Sequence, residues 1–317
     1  MKNILLFNPD KLFPSKKIRY FYKKITGNPR YLLVFLLARF RWIRWSYVFL
    51  SKLIWQGNKI PIHHSESLFT HLDTSSIINT LKKDGIFDGI SLPEPILENI
   101  LDYVYAHDCF ANGKINKGFK IGDKSKVDEL YGHFCYVARY FNISTSCDGI
   151  SKLAKDPKLW EIATQYIGPQ AKYTGASLYW TFPLMDNLKP YEFSQFHYDL
   201  EDYNSLRFCF YLSDVTLESG PHICICGSHK RKPLSSIVNL FSRIYPEQKL
   251  VEFYGIEKFH PLIGKAGSGF IEDVFCFHRG AIPQKQPRLF LQLDFATNSY
   301  VNQEYHDSRN PDLLKSL

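Results

Sequence analysis

His197-Tyr198-Asp199 places an imidazole and a carboxylate two residues apart. The segment around them is strand-like, and at the strand period of two both side chains point to one face. Such a pair can reach one metal ion. His278 is the expected third ligand. It closes the strand-like run Phe270 to Phe277, which in a double-sheet arrangement can pair beside the first. Two histidines and one carboxylate on one side of an iron leave the opposite positions open, the facial triad of non-haem Fe(II) oxygenases. Those open positions accept 2-oxoglutarate and O2.

His-x-Asp alone carries little weight in a chain with 11 histidines. The basic residue that follows sharpens it. Arg288 comes ten residues after His278, at the start of a last strand-like run. A guanidinium there can form a bidentate pair with the distal carboxylate of 2-oxoglutarate. Pro287 is tolerated before it because it opens the strand. Gln292 alternates in phase with Arg288 and is a candidate for the same pocket.

The elements that must position these groups come late in the chain. Segments 173–183, 191–198, 205–213, 221–226, 268–277 and 288–297 are short and rich in aromatic and β-branched residues. Turn signals such as Glu218-Ser219-Gly220-Pro221 separate them. Evenly spaced short strands predict a mostly β fold, a barrel or double-sheet jelly roll of the cupin-like kind, with a helical N-terminal part buttressing one sheet. Leu81 to Tyr105 reads as a glycine turn followed by a helix. Residues 111–130 read as a loop, and Pro157 to Ile167 as a helix.

The ordered set of motifs resembles the phytanoyl-CoA dioxygenase family over residues 80–298. The likeness begins with Leu81-Lys82-Lys83-Asp84-Gly85 and Asp156-Pro157-Lys158-Leu159-Trp160. It continues through His197-Tyr198-Asp199, then Tyr211-Leu212-Ser213-Asp214-Val215 and Gly227-Ser228-His229-Lys230. It ends in His278-Arg279-Gly280 and Arg288-Leu289-Phe290-Leu291-Gln292. The resemblance implies a double-stranded β-helix that uses Fe(II), 2-oxoglutarate and O2. Some members hold 2-oxoglutarate with an additional lysine on an early strand. The matching stretch here, Tyr179-Trp180-Thr181-Phe182-Pro183, has none, and a hydroxyl of Tyr179 or Thr181 is expected instead. His229 is read as a structural hydrogen-bonding residue. His222, His260, His63 and His64 are read as ordinary surface or loop histidines.

Charge is unevenly spread. Residues 1–60 contain 13 Lys or Arg and one acid, Asp10, or +12, so the remainder sums to −4 of the net +8. The basic character belongs to an N-terminal arm, not to the fold that carries the motifs, which argues against a nucleic-acid partner. A helix is expected from Asn28-Pro29 to about Trp55, stopping near Gly57-Asn58. On its wheel Arg41, Arg44, Ser51 and Lys52 share one side, and Trp42, Trp45, Phe49 and Leu53 fill much of the rest. Such a helix either lies at an anionic membrane surface or packs on the barrel. The most apolar run, Tyr31 to Ala38, is far short of the ~20 residues a spanning helix needs. Seven cysteines without a paired framework indicate reduced thiols in the cytoplasm, with peripheral membrane contact through the arm compatible. Cys224 and Cys226 read as packing residues on one strand face.

The sequence is thus divided into an arm (1–60), a linker (61–79), a dioxygenase domain (80–298, barrel core about 172–298) and a tail (299–317). The expected activity is hydroxylation of an unactivated carbon in a small-molecule or lipid-linked substrate, releasing succinate and CO2. The alternative is an inactive binding or membrane-adaptor protein that kept the fold.

Overall fold

The computed structural model describes residues 29–54, 66–131, 135–184, 194–200, 202–239, 243–298 and 308–316. Trp55, Gly57, Asn58, His63 and His64 lie outside them.

Two helices, α1 (Arg30–Leu37) and α2 (Arg41–Ile54), stand where one was expected. The break coincides with Arg39, which is buried. Its guanidinium donates to the carbonyls of Phe35, Ile237 and Asn239 at 2.8–3.2 Å. A buried charge needs such acceptors, and the turn between the helices delivers it to them.

α3 (Thr74–Asp84) starts earlier than the expected linker allows, because Asp73 caps it by accepting from Ser75 N at 3.0 Å. Gly85 ends it with φ 76°. A Cβ there would collide with Cys276 Sγ and His229 Nδ1, so only glycine fits. The chain then forms β1 (Ile86–Ser91), not the expected turn, and α4 (Glu94–Ala106). The expected loop 111–130 contains β3 (Gly118–Phe119), after β2 (Cys109–Ala111), and runs into α5 (Lys124–Tyr131). Next come β4 (Val137–Tyr140), α6 (Ile143–Ser146), α7 (Asp148–Ala154) and α8 (Pro157–Ile167). Asp156 caps α8 through Lys158 N and Leu159 N, with Pro157 in the first turn.

The rest is mainly strand: β5 (Lys172–Thr181), β6 (Ser205–Tyr211), β7 (His222–Ile225), β8 (Phe259–Leu262), β9 (Ser268–Glu272), β10 (His278–Gly280) and β11 (Arg288–Ala296). Helices α9 (Leu234–Val238) and α10 (Glu247–Tyr254) lie between β7 and β8. The strands pair antiparallel in two sheets, ordered β1-β9-β6-β11-β5-β4-β2-β3 and β10-β7-β8.

Strand periodicity divides the large sheet into two faces. Leu206, Phe208 and Phe210 of β6, with Leu289, Leu291, Leu293 and Phe295 of β11, pack against the helices in one core. The intervening residues face the small sheet. There Tyr179, Cys209, Tyr211, Phe270 and Phe290 meet Cys224 and Leu262 in a second core. The outer side of the small sheet is covered by the arm: Tyr31, Val34 and Ala38 pack with Ile225, Leu250, Phe275 and Phe277. Among the described residues no helix is long and apolar enough to cross a membrane.

Candidate metal centre

His197 and His278 are joined by a two-way backbone bridge, His197 N to His278 O at 3.0 Å and His278 N to His197 O at 2.8 Å. Asp199 N donates to Val274 O at 2.9 Å. The segment 194–200 is therefore held against the chain that enters β10, although among its described residues only the bridge at His197 survives of the expected strand. The expectation that His278 closes one strand from Phe270 is corrected. β9 ends at Glu272, the chain turns at Asp273, and His278 opens β10 in the other sheet. Asp273 makes the turn by accepting from Phe275 N at 2.9 Å, and its other oxygen accepts from Tyr166 of α8 at 2.7 Å.

One ligand atom each from His197, Asp199 and His278 lie within 4.8 Å of one another. His197 Nε2 is 3.9 Å from Asp199 Oδ1, and His278 Nε2 is 3.8 Å from Asp199 Oδ2. Both rings face a carbonyl with Nδ1, Gln195 O at 2.8 Å and Cys276 O at 3.0 Å. An N–H at Nδ1 satisfies each carbonyl and leaves the Nε2 lone pair free for a metal. Burial pushes the His278 imidazole down to about 4, so it is neutral, as a ligand must be. Burial alone would raise the Asp199 carboxyl, but Arg207 and the two imidazoles outweigh it and hold the group well below the usual carboxylate range.

Three polar residues around this centre carry no motif in the sequence. Arg207 of β6 donates to Asp199 Oδ2 at 3.2 Å and to Asp294 Oδ1 at 2.6 Å. Glu272 is wholly buried, 3.5 Å from His278 Nδ1, and burial raises its carboxyl above the usual range. His222 is corrected from a surface residue to a core one. It is 3% exposed, 2.9 Å from Glu272 Oε2 without hydrogen-bond alignment, and its ring lies over His278, Phe270 and Phe290. Burial, then Arg288, keeps this imidazole well below its ordinary pKa. The available signal was alternation: Arg207 is in phase with Cys209 and Tyr211, and His222 with Cys224.

Arg288 is 1% exposed. Its Nη1 donates to Gly220 O, while Nε has no acceptor and no carboxylate pairs with the guanidinium among the described residues. Thr181 is its direct cross-strand partner, fully buried, with Oγ1 likewise unsatisfied. Gly280 holds the guanidinium from the small sheet, since a Cβ there would lie 2.9 Å from Arg288 Nη2. Gly280 and His278 are two residues apart on β10 and share a face, separated by about 7 Å of strand. Tyr179 stands edge-on to Phe290 with ring centroids 5.9 Å apart. Gln292 pairs with Ser177 and Cys209 and is partly exposed.

The other singled-out residues fall where expected. His229 is buried, its Nδ1 3.5 Å from Cys276 Sγ, and its carbonyl accepts from Arg44. His260 is exposed beside Asp88. All seven cysteines are free, with Cys224 buried and Cys226 half-buried.

No protein-family model matches the sequence, and no curated protein does either. Solved structures do. The epimerase SnoN, in complex with Fe3+, alpha ketoglutarate and nogalamycin RO, aligns at TM-score 0.50 and 13% identity over 70% of this chain and 83% of its own. HygX from Streptomyces hygroscopicus, with nickel, 2-oxoglutarate and hygromycin B bound, aligns at TM-score 0.46 and 12% identity over 76% and 94%. EvdMO1 aligns at 0.43 and 16% over 70% of this chain and 49% of its own, so this chain spans about half of that protein. At such identities the likeness to SnoN is one of fold.

Proposed function

We propose that this chain is an Fe(II)/2-oxoglutarate-dependent oxygenase that hydroxylates an unactivated carbon of a small-molecule or lipid-linked substrate. The observation that carries the reading is the buried Arg288 guanidinium, with no carboxylate partner among the described residues, packed over Gly280 one pleat repeat from His278 on the same face of β10. A short dicarboxylate would span that interval, with Arg288 holding one end and the triad's metal the other. The donor set of two imidazoles and one carboxylate suits Fe(II). With 2-oxoglutarate and O2, iron supplies the oxidation of a C–H bond and the release of succinate and CO2.

The chain's own residues supply the geometry. His197, Asp199 and His278 would hold the metal. Arg288 pairs with the distal carboxylate, and Thr181 donates its hydroxyl to the same group. Tyr179 and Gln292 line the pocket from β5 and β11. Glu272 and His222 back the His278 ring, and Arg207 orients Asp199. The aromatic wall of Phe270, Phe290 and Tyr211 keeps water from the anion.

In this reading the two facing sheets are a double-stranded β-helix, residues 80–298 are the dioxygenase domain, and the motif order supports a place near the phytanoyl-CoA dioxygenase family. Seven free thiols suit the cytoplasm. The structure of SnoN holds a small molecule, nogalamycin RO, and a small-molecule substrate is proposed here also. The test is oxygen-dependent succinate formation from 2-oxoglutarate, screened with lipid, acyl-CoA and glycan candidates. Substrate-stimulated turnover in the parent and none in Asp199→Ala is expected. Equal succinate from both proteins would remove the metal centre from the reaction.

A further inference from the structure

Helix α2 is mounted with its polar side inward. At 3.6 residues per turn, Tyr47, Arg44 and Ser51 occupy a sector of about 60°, and this is the side fastened to the protein. The Arg44 guanidinium lies 3.7 Å over the Phe275 ring and donates to His229 O at 3.1 Å. Gln170 donates to Ser51 Oγ at 2.6 Å, and Tyr47 stacks on Tyr203 at 4.3 Å. The opposite side is apolar. Trp45, Phe49, Trp42 and Leu53 fall within about 80°, and their relative exposures are 67, 49, 68 and 59%. Trp45 and Phe49 are stacked on one another at 5.5 Å. Arg41 and Lys52, both exposed, border this face on the side of Trp45.

Ile43 and Tyr47 pack against the core beneath the arm, but core packing does not explain the other side, where the largest apolar groups of the helix are left outward. A contiguous exposed face of large apolar groups marks an interaction site. Its chemistry selects the partner. Tryptophans with bordering cations suit the headgroup level of a bilayer. Residues 1–28 add seven Lys or Arg against the single acid Asp10, while residues 61–317 sum to −4. The positive part of the sequence is the part that carries α2, and this matches an anionic lipid surface.

We infer that the outward face of α2, led by Trp42, Trp45, Phe49 and Leu53, docks the protein on anionic membranes by lying in the lipid interface. The helix is fixed to the metal-bearing part of the fold. Phe275 beneath Arg44 is three residues before His278. Tyr198, between the ligands His197 and Asp199, packs in the same core as Tyr31 and Val34 of α1. Docking therefore holds the site at a set distance from the bilayer, where a membrane-borne substrate is presented. The inference stands without the proposed chemistry, because lipid binding is measured without turnover.

The experiment uses the full chain, with vesicles of phosphatidylcholine with and without phosphatidylserine, read by co-sedimentation and tryptophan emission. The parent is expected to sediment with the anionic vesicles, with a blue-shifted emission. Screening should release part of it at high salt, since the Debye length shrinks to about 3 Å at 1 M. Trp42→Ser/Trp45→Ser/Phe49→Ser should lose at least about tenfold in partition, by loss of apolar burial. Arg41→Glu/Lys52→Glu should lose binding chiefly at low salt. Both variants should keep iron binding, which shows that they fold. Three results overturn the inference. The parent stays in the supernatant at low salt; or the triple variant binds as the parent does; or light scattering shows a dimer that the triple variant dissolves, which assigns the face to a second copy.

Discussion

Arg288 on β11 and Thr181 on β5 are direct cross-strand partners, and each buries a polar atom that no described group satisfies. Native proteins rarely leave two such atoms side by side. A bound carboxylate would satisfy both at once.

Thr181→Val tests the hydroxyl. Its Oγ1 makes no hydrogen bond in the free protein, so deletion costs no stability and removes a desolvated polar group. The melting temperature without 2-oxoglutarate is expected to stay level or rise. The upward shift on adding 2-oxoglutarate should shrink, matching a loss of about 1 kcal/mol in binding. An undiminished shift would take Thr181 out of the carboxylate site.

Gly280→Ala tests the seat of the guanidinium. The added Cβ would stand 2.9 Å from Arg288 Nη2, so the guanidinium must move. Iron affinity should be kept and 2-oxoglutarate affinity should fall, by calorimetry, about tenfold or more, the equivalent of 1.4 kcal/mol. Equal affinity in both proteins would mean that the dicarboxylate does not reach β10.

Glu272→Gln keeps the volume beside His278 and removes the ionisable carboxyl. Partners behind a ligating histidine tune metal affinity by about 10–100-fold. Iron titration should show a drop in that range, with 2-oxoglutarate affinity of the loaded protein little changed. Unchanged iron affinity would leave the Cys276 carbonyl as the group that orients the ring.

Arg207→Met leaves two carboxylates, Asp199 and Asp294, without their shared cation. The three side chains are half-buried, so losing the cation costs more than the ~1 kcal/mol of a surface pair. Fe(II) restores a positive charge at Asp199, so the variant should gain more in melting temperature from iron than the parent does. A smaller gain would contradict the role given to Arg207.

The candidate ligands and Arg288 were legible because each sits in a local pattern. His197 and Asp199 share a face by the strand period alone, and Arg288 opens a strand whose alternation is clean. The turns at Gly85 and Gly220 were legible for the same reason. Arg207, His222 and Glu272 were not, since a lone polar residue in a strand acquires meaning only from the strands that become its neighbours. β9 had to pair with β6 to bring Glu272 beside Arg207, and β10 had to pair with β7 to bring His222 opposite Gly280. β1 was missed because its pairing with β9 spans most of the chain. The split of the arm at Arg39 depended on carbonyls about 200 residues away.

The most direct measurement is an anaerobic titration with Fe(II) and 2-oxoglutarate, followed by the visible charge-transfer absorption of their chelate. One equivalent of Fe(II) per chain should give the band in the parent only when 2-oxoglutarate is also present. Asp199→Ala should give none. Arg288→Gln should reach the same band only at roughly ten to a hundred times more 2-oxoglutarate, the loss of a charge-assisted pair worth about 1.5–3 kcal/mol. A parent protein that shows no band at saturating Fe(II) and 2-oxoglutarate would contradict the account.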